Sequence, residues 1–142
     1  MLESMVEFTG CKIALLLEDK LVVYLRDDKP GLAFSNMWDF PGGGREGEET
    51  PFECVSREVA EEFSIRLDPG QVIWQKEHPS MRDPNGRAYF FAARITLEQV
   101  TAIKFGDEGQ RWKLISIDDC LSRDDIVPYL KGRFQDYLDG KV

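Results

Sequence analysis

At 142 residues the chain fits one domain and is long enough to bury a core without disulfides or a structural metal. Hydrophobic residues make up 42% and charged residues 31%, a globular balance, and no apolar run approaches the roughly 20 residues of a membrane helix. The net charge of −8 and the lack of a Lys/Arg run argue against a long nucleic-acid partner, but leave room for a small phosphorylated substrate whose cations offset the field.

The opening MLESMVEF carries acids and no basic stretch, so it does not read as a secretory signal, and a cytoplasmic protein is expected. Residues 10–18 and 20–26 are predicted strands rich in Leu, Ile and Val, with Glu18-Asp19-Lys20 as the polar turn between them. Residues 27–31 form a loop, and residues 38–40 a short strand stopped by Pro41 and three glycines. Residues 50–63 carry the clearest helix. Thr50 is a natural N-cap, Pro51 suits the first helical position, and Glu53 completes a capping box. Phe52, Val55, Val59 and Phe63 recur at helical spacing as one apolar stripe. Residues 72–77 and 87–96 are predicted strands, separated by the turn Asp83-Pro84-Asn85-Gly86. Residues 111–117 make another strand. Residues 128–138 make a closing helix with Val127, Leu130, Phe134 and Leu138 on one face. The elements alternate without a regular βαβ rhythm, so one domain over residues 1–142 is expected, with a mixed sheet and helices on its faces.

Cys11, Cys54 and Cys120 are odd in number, widely spaced and without a CxxC, which points to a reducing compartment and to packing rather than to disulfides. The lone His78 cannot build a His-rich zinc site. On the 50–63 helix, Glu58, Glu61 and Glu62 fall within a sector of about 100°, roughly 110° from the apolar stripe. The stripe can pack on a sheet while the carboxylates line a groove beside it. Three clustered carboxylates repel one another and invite a hard cation such as Mg²⁺, which takes oxygen ligands and bridges phosphates. Arg57 has a planar fork able to hold a carboxylate in fixed geometry. Gly42, Gly43 and Gly44 let the backbone turn sharply and approach a ligand closely.

Residues 38–65, WDFPGGGREGEETPFECVSREVAEEFSI, resemble the Nudix box: a Gly, five residues, a Glu, seven residues, then Arg-Glu-apolar-x-Glu-Glu-x-Gly-apolar. Gly43, Glu49, Arg57, Glu58, Val59, Glu61, Glu62 and Ile65 fall in register, and Ser64 stands where the family has Gly. From average residue frequencies, a chance match anywhere in the chain has a probability of about 10⁻⁵, so the pattern outweighs a merely solvated acidic helix. The strand pair and Met37-Trp38-Asp39-Phe40-Pro41-Gly42-Gly43 look like the lead-in of MutT-type members. The resemblance therefore covers residues 8–65 well and the rest in general layout.

The resemblance implies a Nudix-type α/β/α sandwich and hydrolysis of a diphosphate linkage with Mg²⁺, Mn²⁺ being the alternative ion. It makes Glu58, Glu61 and Glu62 metal-binding and catalytic, with Gly42 offering its carbonyl. It also pairs Arg57 with Glu49, so that Arg57 orients a metal-binding Glu. Many Nudix proteins supply a further acid from a loop, as ligand or base, and Glu108 in the loop of residues 105–110 matches it best. Ser64 would occupy the left-handed cap position at a cost of about 1 kcal/mol. The short chain and MutT-like lead-in point to a small nucleoside triphosphate, oxidised purines included, within the wider class of nucleoside diphosphate derivatives. Phe34, Trp38, Tyr89, Phe91 and Trp112 are aromatics able to stack a base. A monomer and a homodimer both fit. A Nudix-fold isomerase acting on isopentenyl diphosphate needs a His-containing metal site, which one His does not supply. A catalytically silent nucleotide sensor is the other reading. Silent members usually lose box carboxylates, and all three are present here.

Overall fold

The computed structural model describes residues 7–142. The reading of the N-terminus as free of a secretory signal rests largely on residues 1–6, which lie outside the described residues. Branched and apolar side chains drive β1 (Phe8–Leu17) and β2 (Lys20–Leu25) into a tight hairpin, with Leu16 opposite Leu21. Glu18 turns the chain with a positive φ of 54°. β3 (Trp38–Asp39) pairs antiparallel with β2. β4 (Gly42–Gly44) pairs antiparallel with residues Gly10, Cys11 and Lys12 of β1. Three consecutive glycines carry no side-chain alternation, so this strand has no sequence signature. β5 (Val72–Pro79) is antiparallel to β6 (Arg87–Arg94), and β6 runs parallel to β1. β7 (Arg111–Ser116) pairs antiparallel with β2. The order β3-β2-β1-β6-β5, with β4 beside β1 and β7 beside β2, makes a mixed seven-stranded sheet.

One helix covers each face. α1 (Pro51–Phe63) begins with the expected capping box, Thr50 accepting from Glu53 N–H and Glu53 accepting from Thr50 N–H. Its stripe residues Val55, Val59 and Phe63 are fully buried against Cys11, Ile13 and Leu15 of β1 and against Phe91 of β6. Burying Phe63 alone is worth about 1.5–3 kcal/mol. α4 (Pro128–Leu138) covers the opposite face, where Leu130 and Phe134 pack on Ala14, Leu16, Phe90 and Ala92. The result is the expected α/β/α sandwich. The alternation of β1 divides the two cores: odd positions from Cys11 to Leu15 face α1, and Ala14 and Leu16 face α4.

Two short helices, α2 (Leu97–Thr101) and α3 (Ile117–Ser122), were not expected. Each is under two turns, too short for a helical period to register, and each starts on a hydroxyl cap, Thr96 and Ser116 respectively. The three cysteines are free and buried, as packing residues. Among the described residues no helix is long and apolar enough to cross a membrane.

Candidate active site

The C-terminal half of α1 and the loop before β7 enclose a groove lined by Glu46, Glu58, Glu61, Glu62, Asp107 and Glu108. The helix phase places three of these acids beside the buried stripe, and the loop brings Glu108 to them. Gly106 lets that loop come close. Its N–H donates to Glu62 O at 2.8 Å, and a Cβ there would lie 2.8 Å from Glu61 O. Glu46 and Asp107 also face the groove. Sequence reasoning did not select them, because neither sits in the box pattern.

Arg57 organises the acids. Its Nε and Nη2 donate to the two oxygens of Glu49 at 2.7 and 3.1 Å, a bidentate pair. Its Nη1 donates to Glu58 at 3.1 Å and Glu61 at 3.3 Å, and its Nη2 to Gly44 O at 2.8 Å. These bonds hold the Glu49 carboxyl below its usual range. Glu58 moves the other way: burial raises its affinity for a proton against the pull of Arg57, with Glu61 and Glu108 adding repulsion. The Glu58 carboxylate packs against Gly43, where any Cβ would collide with it. Gly42 adopts φ +133° and lies against Cys11 O so closely that a side chain would not fit.

Among the groove acids Glu62 is the furthest from water, at 7% exposure. Burial pushes its pKa up to about 8, opposed by Lys12 and by the Gly42 N–H it accepts at 3.0 Å. A carboxylate held this way gains most from a nearby cation, and an all-oxygen donor set suits Mg²⁺ or Mn²⁺. Among the described residues no three acids yet converge at ligand distance. Glu58 is turned toward Arg57 and Glu62 toward the Gly42 N–H, while both line the groove. Gly42 is brought to Glu62 through its N–H.

A second polar cluster lies beside the groove and was not foreseen. Asp39 of β3 is 2% exposed, and its Oδ2 accepts from Lys12 Nζ at 3.1 Å, Tyr24 OH at 3.1 Å and Arg26 Nη1 at 2.9 Å. A lysine interrupting the apolar run of β1, and an aspartate between Trp38 and Phe40, were the signals that could have found it. A charge in a buried strand requires a partner.

The expected base-stacking aromatics fare unevenly. Phe91 is fully buried under α1, because alternation in β6 points it inward, so it is unavailable as a platform. Trp38 is also unavailable. It is 5% exposed within the α4-side core, with the Arg111 and Arg123 guanidinium groups 5.5 and 5.7 Å from its ring. Trp112 is half-buried against the α1-side core. Tyr89 is half-buried, and Phe34 is exposed with its ring 5.7 Å from that of Tyr129.

The NUDIX domain family model matches residues 11–136 of this chain. Solved structures share the fold. The MutT protein from Methanosarcina mazei Go1 superposes with a TM-score of 0.74 at 19% identity, covering 97% of this chain and 98% of that one. An Ap4A hydrolase from C. elegans, solved as a binary complex, gives 0.64 at 15% identity over 92% and 98%. A bifunctional NMN adenylyltransferase/ADP ribose pyrophosphatase from Francisella tularensis, complexed with AMP and a Mn ion, gives 0.63 at 18% identity over 97% of this chain and 43% of that one. No curated protein sequence gave a match. With the family model covering most of its length, the chain belongs to the Nudix hydrolase family.

Proposed function

We propose that the chain hydrolyses a diphosphate linkage in a small nucleotide, a nucleoside triphosphate before other nucleoside diphosphate derivatives, with Mg²⁺ as its ion. The observation that carries this is the groove itself: five carboxylates of α1 and the facing loop, with Glu46, share one hollow next to Arg57. Glu58, Glu61 and Glu62 would hold the ion, with the Gly42 carbonyl as a further oxygen donor. A bound divalent ion neutralises diphosphate charge and lowers the pKa of water.

The chain's own residues do the rest. Arg57 fixes Glu49 and steadies Glu58 through charge-assisted hydrogen bonds, so the acids on α1 keep their orientation as a charged substrate arrives. We assign the general base to Glu108. Glu58 already accepts from Arg57 and Glu62 from Gly42, whereas Glu108 is exposed in its loop and able to take a proton from water. The deciding experiment measures phosphate release from a panel of nucleoside triphosphates and diphosphate derivatives, with Mg²⁺ and with excess EDTA. Metal-dependent release from one class supports the reading. Turnover undiminished in EDTA, or none from any diphosphate compound, removes it.

A further inference from the structure

A second hollow, with a cavity volume of about 50 Å³, lies where the start of β1, the β5–β6 loop and α4 meet. Among the described residues its lining holds Lys12, Arg82 and Arg133 and no acid, in a chain whose net charge is −8. Gly10 and Ala88 also line it, and Gly10 lies so close to Gly43 O that a Cβ there would collide. Lys12 is committed to Asp39 and Phe40 O. Arg133 is not committed in this way. It is 8% exposed, stacks 4.8 Å from the Tyr129 ring, and donates through Nη2 to Pro79 O at 2.7 Å. Burial without a carboxylate beside it pulls its pKa down. Apart from His78 Nδ1, every fully buried side-chain polar atom among the described residues has a partner, so the Arg133 donors left without one keep some solvent contact, and Arg133 lines the hollow. Arg82 projects from the loop over Gly44 at the same rim.

A guanidinium desolvated without an acid is costly unless something anionic completes it. Its planar fork matches the oxygens of a phosphate. We infer that this hollow is a binding site for a phosphate-class oxyanion, held by Arg133 and Arg82 and distinct from the acidic groove. The oxyanion comes either from a phosphate on the substrate remote from the scissile linkage or from free phosphate acting as an effector. The inference does not depend on the hydrolytic reading, because the site requires neither metal nor turnover.

Inorganic phosphate titrated calorimetrically into the full chain in EDTA tests it, since the acidic groove then repels the anion. Saturable binding is expected. Arg82→Glu, at an exposed position, should weaken it at least about tenfold. Arg133→Lys should weaken it by about the same factor, because Lys keeps the charge but loses the fork. Circular dichroism checks that Arg133→Lys folds, and if it does not, Arg82→Glu decides. Absence of saturation, or unchanged affinity in Arg82→Glu, overturns the site. A second arm tests phosphate as an inhibitor of a hydrolysed nucleotide. Competitive inhibition that Arg82→Glu relieves assigns the site to the substrate's own phosphate, and non-competitive inhibition that it relieves assigns it to an effector.

Discussion

Gly43 borders two hollows of opposite sign. On one side Glu58 packs against it within a groove of six acids, and on the other the same residue lines a pocket of three cations. The groove is acidic because a helix phase sets three carboxylates on consecutive turns of α1, to which the flanking loops add Glu46, Asp107 and Glu108. The pocket is cationic because three distant segments, β1, the β5–β6 loop and α4, each bring one basic residue. Both leave like charges without full compensation, at a cost that the two cores offset. The lesson is that local charge, set residue by residue, decides what each hollow can bind, even where net charge argues against an anion.

The comparison breaks first at the groove. Excess EDTA should abolish turnover, and Glu58→Gln or Glu62→Gln should lower kcat by about 10³-fold, the several kcal/mol expected of lost metal chemistry. Thermal melts of both variants should hold or rise, since each removes repulsion and opens no cavity. Near-normal kcat in metal-titrated kinetics would place the ion elsewhere. Phe63→Ala tests the packing that sets the phase and should cost about 3–5 kcal/mol in urea unfolding. A loss under 1 kcal/mol would mean that Phe63 does not anchor α1.

Smaller effects sharpen the contrast. Glu108→Gln should lower kcat by about 10²-fold with little change in KM, as fits a group acting only in the chemical step. Asp107→Asn is the paired control. A larger loss there would move the base to Asp107. The smallest effect lies near the cationic pocket. His78 has its pKa lowered, first by burial and then by the charge of Arg133. A depressed folded-state pKa means its contribution to stability is present above the ordinary histidine range and lost as pH falls below it. His78→Gln should therefore flatten the decline in melting temperature between about pH 7 and 5, and an unchanged decline would assign it to other groups.

How much was legible follows from whether a feature is local. The α1 helix, its capping box and the sector of Glu58, Glu61 and Glu62 depend on residues within a few turns, and the structure reproduces them. Ser64, with φ 58° and ψ 31°, takes the left-handed cap position that its place in the box implied. Its N–H still closes on Ala60 O. β4 was invisible because glycines carry no pattern. α2 and α3 were invisible because five and six residues carry too little of one. The Asp39 cluster and the Arg133 pocket were illegible for another reason: their partners lie 13 to 54 positions apart, and only the folded sheet makes them neighbours.

The alternation of β1 also guards assembly of the sheet. Lys12 sits between Cys11 and Ile13, which face α1, and its ammonium reaches a buried aspartate on β3. A pairing slipped by one residue would turn Lys12 toward the closed α1-side core and leave Asp39 without one of its cations. Such a chain would bear Lys12 as an uncompensated buried charge and leave Asp39 with Arg26 alone, at a cost of several kcal/mol. Lys12 thus serves as a register mark, since any pairing that turns it into the closed core is less stable than the native one.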